Sequence, residues 1–231
     1  MKLILFDIDG TLMDSGGAGT KAIEAAICEV LGISCKRLKG NHVPMAGKTD
    51  PQILKEILDL LSVSYDNSLL STILGRYLYH LGQEIDTNGK ELKPFVMEIL
   101  DWLGDMDNVH LGLLTGNVQH GAEIKLRSFG IWERFGFGAY GSDNEERNLL
   151  LPEALRRFRT LSGTEVTFKD CIVIGDTPRD VECSKPYGAI CLAVATGPYD
   201  TKALLSTEAD AVIEDLSQAR EVLRPLLSAP L

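Results

Sequence analysis

Six short apolar runs punctuate the chain, at residues 2–6, 109–114, 136–140, 170–174, 189–194 and 211–213. Most are continuous rather than alternating, the pattern of strands buried on both faces. Between them, apolar positions recur at helical spacing over Val118–Phe129, Leu149–Phe158, Asp180–Tyr187 and Thr201–Leu205. Strands that alternate with helices predict an α/β fold with a parallel sheet covered on both faces. In such sheets ligands bind at the carboxyl ends of strands, where the strand order reverses.

One stretch breaks the alternation. From about Gly16 to Asn88 the signals are helical and no strand is convincing. Lys21–Leu31 sets Ile23, Ile27, Val30 and Leu31 on one side, and Leu69–Gln83 carries Leu70, Leu74, Tyr77, Leu78 and Leu81. Pro51–Leu61 reads as a third helix, with Asp50 as its N-cap and Pro51 at the first helical position. The economical reading is a helical insertion, residues 16–88, in a main domain built from 1–15 and 89–231. Gly16-Gly17 and Asn88-Gly89 are the expected hinges, and Pro94–Leu103 resumes the main domain as a helix.

At 231 residues the chain fits one domain with an insertion. A formal net charge of -10 argues against nucleic acid as a partner, since an acidic surface repels a phosphate backbone. No apolar run approaches the ~18 residues of a membrane span, and the first residues enter a strand at once rather than a leader. Cys28, Cys35, Cys171, Cys183 and Cys191 include no pair at two-residue spacing, so neither a zinc site nor a disulfide framework is expected. A reducing cytoplasm is the location these features predict. Oligomeric state is not legible.

The chemistry concentrates at strand ends. Asp7-Ile8-Asp9-Gly10-Thr11 follows the first apolar run, and residues two apart in a strand project the same way. Two such acids repel unless a cation or a shared proton intervenes, so the pair reads as a magnesium-assisted nucleophile site. The run 109–114 ends in Thr115-Gly116-Asn117, where a hydroxyl and a helix N-terminus offer phosphate oxygens a seat. The run 170–174 ends in Gly175-Asp176, with Asp180 four residues on. Asp176 is placed to reach a metal and Asp180 to orient it or its waters, and magnesium prefers such oxygen ligands.

These three blocks, in this order, resemble the haloacid dehalogenase superfamily, specifically its phosphoglycolate phosphatase-like members with a helical cap. The resemblance spans the chain and implies a Rossmann-like core with the cap inserted at 16–88. It implies Asp7 as nucleophile, forming an aspartyl-phosphate, and Asp9 as acid and then base. It also implies Thr115, with nearby backbone N–H groups of Gly116 and Asn117, on the phosphate. Magnesium would lie between the Asp7 carboxylate, the Asp9 carbonyl and Asp176. The implied substrate is a small phosphorylated metabolite. An acid at position 9 disfavours a dehalogenase, whose leaving group needs no proton. Two alternatives stay open: a phosphosugar mutase using the same core residues, and a catalytically silent interaction protein.

The family's third motif, a Lys or Arg that pairs with nucleophile and phosphate, has no Lys-Pro pair here. Arg147, ahead of a helix, is the favoured occupant, and Lys125 is its rival, with a surface lysine as the alternative account of Lys125. Gly47-Lys48-Thr49 looks like the end of a P-loop, but position 42 is His where that motif needs Gly. Lys48 is expected instead to face the site from the cap and meet the substrate's remote end. His42, His80, His110 and His120 show no ligand spacing. Lys36, Arg37 and Lys39 read as solvated cap surface.

Overall fold

The structure is a computed structural model that describes residues 1–38, 43–87 and 89–228. Its centre is a six-stranded, wholly parallel sheet in the order β5-β4-β1-β6-β7-β8. The strands are β1 (Lys2–Phe6), β4 (Val109–Thr115), β5 (Phe137–Tyr140), β6 (Cys171–Gly175), β7 (Ile190–Val194) and β8 (Ala211–Ile213). β1 pairs with β4 through Phe6 opposite Leu113, and with β6 through Phe6 opposite Ile174. The order therefore reverses at β1, and the crevice beyond its carboxyl end is the ligand position of such sheets. The predicted α/β class and the strand runs hold, with ends shifted by a residue.

Side-chain alternation divides the core. Ile4 and Phe6 of β1 join one apolar cluster, and Leu3 and Leu5 join the other. The first face is covered by α4 (Val96–Gly104), α5 (Gln119–Arg127) and α9 (Ala219–Ser228), the second by α6 (Leu150–Ser162) and the buried Cys183 of α7 (Pro178–Ser184). A short α8 (Thr201–Leu205) packs beside β7 and β8. Cys171, Cys183 and Cys191 are buried as small apolar groups, and burial pushes the Cys171 and Cys183 thiols up to about 12.

Between β1 and β4 lie α1 (Ala18–Leu31), α2 (Asp50–Leu60) and α3 (Asn67–Glu84). Ile23, Ile27, Leu54, Leu58, Ile73 and Leu81 make their shared apolar interior, continuous with the first sheet face. Before α1 and after α3 the chain forms a pair unforeseen in the sequence: β2 (Met13–Asp14) runs antiparallel to β3 (Glu91–Leu92). Gly16 and Gly17, with φ of 61° and 81°, sit just beyond β2 in a conformation that suits glycine. The other expected hinge includes Asn88, which lies outside the described residues, as do Lys39 and His42.

Two expectations are corrected. The N-cap of α2 is Thr49, whose hydroxyl accepts from the Gln52 N–H, and Asp50 is its first helical residue. Thr49 and Asp50 are both good caps, and the choice turned on what lies outside the helix. Asp50 is drawn inward by the core. Cys28, at the end of α1, is bonded to Cys35, against the expectation of no disulfide. The Gly32 turn that ends α1 folds the chain back and brings the two sulfurs together.

Candidate active site

The ends of β1, β4 and β6 converge on one cavity of 520 Å³. Asp7 follows β1 directly, and its N–H still donates to the Ile174 carbonyl (2.9 Å), so its carboxylate is anchored beside β6. The chain then turns at Gly10, with φ of 86°; a Cβ there would lie 2.3 Å from Asp176 Oδ2. Only glycine permits that approach.

Two cations divide the two acids of the first motif. Arg147 Nη2 lies 3.0 Å from Asp7 Oδ1 and also bonds Asp180 Oδ1, with the guanidinium almost fully buried. Its Nη1 donates to the Gly47 carbonyl (3.3 Å), which ties it to the segment leading into α2. Lys125, equally buried, holds both oxygens of Asp9 (2.8 and 2.6 Å) and the Asn117 side-chain oxygen (2.6 Å). Lys125 is therefore no surface lysine: it lies buried on α5 with its ammonium on Asp9 and Asn117. Of the two candidate cations for the third motif, Arg147 is the one that pairs with Asp7.

Asp180 is fixed by a capping box at the start of α7, where Thr177 donates from its N–H (3.0 Å) and hydroxyl (2.8 Å) to Asp180 Oδ2. Asp176 receives the Thr11 hydroxyl on Oδ1 (2.9 Å), while its Oδ2 is buried with no hydrogen-bond partner. Carboxylate oxygens of Asp7, Asp176 and Asp180 lie within 4.8 Å of one another. Burial pushes the Asp7 carboxyl up to about 6 despite Arg147, and burial with the charges of Asp7 and Asp180 pushes Asp176 well above the carboxylate range. Three acids sharing one guanidinium are short of positive charge. A hard divalent cation would supply it, and an all-oxygen donor set with one orphaned carboxylate oxygen fits such an ion.

At the end of β4, Thr115 Oγ1 accepts from Asn117 Nδ2 (2.9 Å), leaving the hydroxyl proton for an incoming acceptor. Asn117 Nδ2 also donates to Asp9 Oδ2 (2.8 Å), so this amide braces the site's own side chains. The helix N-terminus behind Thr115 is less available than its sequence implies. The Val118 N–H is taken by Asp50 Oδ2 (2.8 Å) and the Gln119 N–H by the Ser142 hydroxyl (3.2 Å). Gly116 meets the segment before α2: its carbonyl accepts the Asp50 N–H (2.8 Å), and a Cβ would sit 2.1 Å from the Lys48 carbonyl oxygen. Lys48 lines the cavity, but its ammonium is paired with Glu56.

With that geometry in view, comparison with known proteins is decisive for the family. A family model described as a haloacid dehalogenase-like hydrolase matches residues 1–186. The chain belongs to that family. This hydrolase is similar to the phosphoglycolate phosphatase of Pseudomonas savastanoi pv. phaseolicola, at 23% identity over 99% of this chain and 85% of the relative. It is likewise similar to that of Xanthomonas campestris pv. campestris, at 25% identity over 95% of each. Its fold matches a hydrolase from Pseudomonas syringae (TM-score 0.71, 20% identity, 97% of this chain and 99% of the other). It also matches CbbY from Rhodobacter sphaeroides, a structure in complex with phosphate (TM-score 0.71, 16% identity, 94% and 96%). The family resemblance read from the motifs is thereby established.

Asp7, Asp9, Lys48, Thr115, Gly116, Asn117, Lys125, Arg147 and Asp176 all line the one cavity, and Asp180 lies buried behind it. Sequence reasoning missed Thr11, which holds Asp176, and Gly197, whose Cβ would fall 1.7 Å from Asp176 Oδ2. It also missed the buried Asp50–Tyr77 pair beneath the Thr115 loop. Asp50 looked like a cap and Tyr77 like one member of an apolar stripe; nothing in their spacing joins them. His120 is exposed on α5.

Proposed function

We propose that this hydrolase is a magnesium-dependent phosphatase of small organic phosphate monoesters, acting in the cytoplasm through an aspartyl-phosphate on Asp7. The observation that carries the reading is the division of cations: Arg147 on Asp7, Lys125 on Asp9, with Thr115 and Asp176 at the neighbouring strand ends. In a reducing compartment Cys28 and Cys35 would stand as thiols.

In the first half-reaction an Asp7 oxygen attacks phosphorus, and the bond to the leaving alcohol breaks as Asp9 gives that oxygen its proton. Arg147 offsets the charge gathered on Asp7 and the transferring group, and Thr115 donates its hydroxyl to a phosphoryl oxygen. In the second half, water attacks the same phosphorus while Asp9 takes its proton, and the Asp7 carboxylate is released with inorganic phosphate. The Lys125 ammonium holds both oxygens of Asp9 in place for these transfers. Asp7, the Asp9 carbonyl and Asp176 would hold magnesium, with Asp180 orienting the set. When bound, the ion supplies charge neutralisation and Lewis acidity at the phosphoryl group. Residues 16–88 serve as the cap that shelters these groups from bulk water.

Phosphate release from an aryl phosphate tests the reading. Turnover should vanish in excess chelator and return with magnesium; full activity in chelator rules out the metal role. An isomerised phosphosugar formed without released phosphate would select the mutase alternative.

A further inference from the structure

The cavity's lining differs by origin. The main domain contributes carboxylates, Arg147, Lys125 and Thr115. The helical segment contributes Ile23, Met45, Ile53 and Tyr77, with Lys48 as its cation and Asp50 as its acid. Met45 is half-buried and presents its side chain to this space, with Ile23, Ile53 and Tyr77 packed almost wholly buried behind it. At ~30 Å³ per water-sized group, a cavity of 520 Å³ holds a phosphoryl group and a leaving group larger than two carbons.

Charge decides what that leaving group carries. Among the described residues, the cations that line the cavity are Lys48, Lys93, Lys125 and Arg147. Each already faces an acid: Lys48 has Glu56, Lys93 has Asp14 (3.5 Å), Lys125 has Asp9 and Arg147 has Asp7 and Asp180. A second anion on the substrate must therefore sit unpaired or draw a lysine, Lys48 or Lys93, away from its acid. Drawing Lys48 strips Glu56 of its cation and leaves it the Gln52 amide (3.1 Å) and the solvent that reaches its 34% exposed side chain. Both courses carry a cost, the first as a charge desolvated without a partner and the second as a broken, partly buried ion pair.

Resting on the phosphatase reading above, we infer that the preferred substrate is a monoester of an uncharged, partly apolar alcohol. Esters bearing a second anionic group are disfavoured, phosphoglycolate among them, although the sequence relatives are named for it. Phosphate recognition belongs to the strand ends, and the remote end is read by the apolar wall of the helical segment. Glu56 is the negative determinant, since it consumes the charge that would welcome a carboxylate.

Matched esters test this. Values of kcat/KM would be compared for phosphoglycolate against 2-hydroxyethyl phosphate, and for 3-phosphoglycerate against glycerol 3-phosphate. The uncharged member of each pair should lead by ~10-fold or more, the equivalent of one unpaired charge contact at ~1.4 kcal/mol per decade. Glu56→Gln frees Lys48, so it should raise kcat/KM for the anionic members and narrow both ratios while leaving the uncharged members unchanged. Phosphoglycolate ahead of 2-hydroxyethyl phosphate in the wild type overturns the inference, as do ratios unmoved by Glu56→Gln. If no ester is turned over with magnesium present, the phosphatase reading itself falls. Calorimetric binding of the same pairs then decides the selectivity, with tighter binding of the anionic members overturning it.

Discussion

Asp50→Asn should stabilise this protein at neutral and alkaline pH and lose that advantage in acid. Asp50 sits in the first turn of α2, 9% exposed, with its carboxylate against the Val118 N–H and the Tyr77 hydroxyl. Burial pushes the carboxyl from 3.8 up to about 6, against the pull of Lys125 and the Val118 N–H. A folded value above the unfolded one means that the native state binds the proton more tightly. The site therefore contributes no penalty below about pH 4, where both states are protonated, and stability falls as pH rises towards about 6. About two units at ~1.36 kcal/mol each give a penalty of roughly 3 kcal/mol at neutral pH. Asparagine keeps the shape and an oxygen for Val118 but cannot ionise. Urea unfolding of both proteins from about pH 4 to about pH 8 isolates the effect as a difference, which should move by up to roughly 3 kcal/mol in the variant's favour. A difference that stays constant with pH would refute the buried-carboxylate account.

The remaining predictions address the cations and the loop contact. Arg147→Ala should lower the rate ~10²–10³-fold, as loss of one preorganised donor does, and Arg147→Lys should recover part of it by restoring charge without the fork. Lys125→Ala should lower the rate by less, because Asn117 still holds Asp9 and the Asp7–Arg147 pair stays intact. Lys125→Ala inactive with Arg147→Ala near the wild-type rate would reverse the two assignments. Gly116→Ala sets a methyl against the Lys48 carbonyl and should cost about 1–3 kcal/mol in thermal or urea unfolding. An unchanged midpoint would mean that the segment before α2 yields freely.

The parallel sheet was legible because strands buried on both faces write continuous apolar runs, and these strands do so from Leu3 to Ile213. The chemistry at their ends was legible for a related reason. Asp7, Thr115 and Asp176 each interrupt a run at a point where only a crevice tolerates a polar group. What stayed hidden depends on distant contacts. The β2–β3 pair is two residues on each side and carries no periodicity. Lys125 resembles any helical lysine until α5 is docked and its ammonium meets Asp9. The cap of α2 falls to Thr49 because Asp50 finds a better partner in Val118, almost seventy residues along the chain. The Cys28–Cys35 pairing depends on the turn after α1 rather than on any spacing rule.

The central claim is that Asp7 carries the phosphoryl group. Acid quenching during turnover of an aryl phosphate with magnesium, followed by peptide mass analysis, tests it most directly. The account predicts a phosphoryl adduct on the peptide holding Asp7, enriched when Asp9→Asn slows its hydrolysis and absent from Asp7→Asn. Phosphate released at the wild-type rate by Asp7→Asn, with no adduct in any of the three proteins, would contradict it.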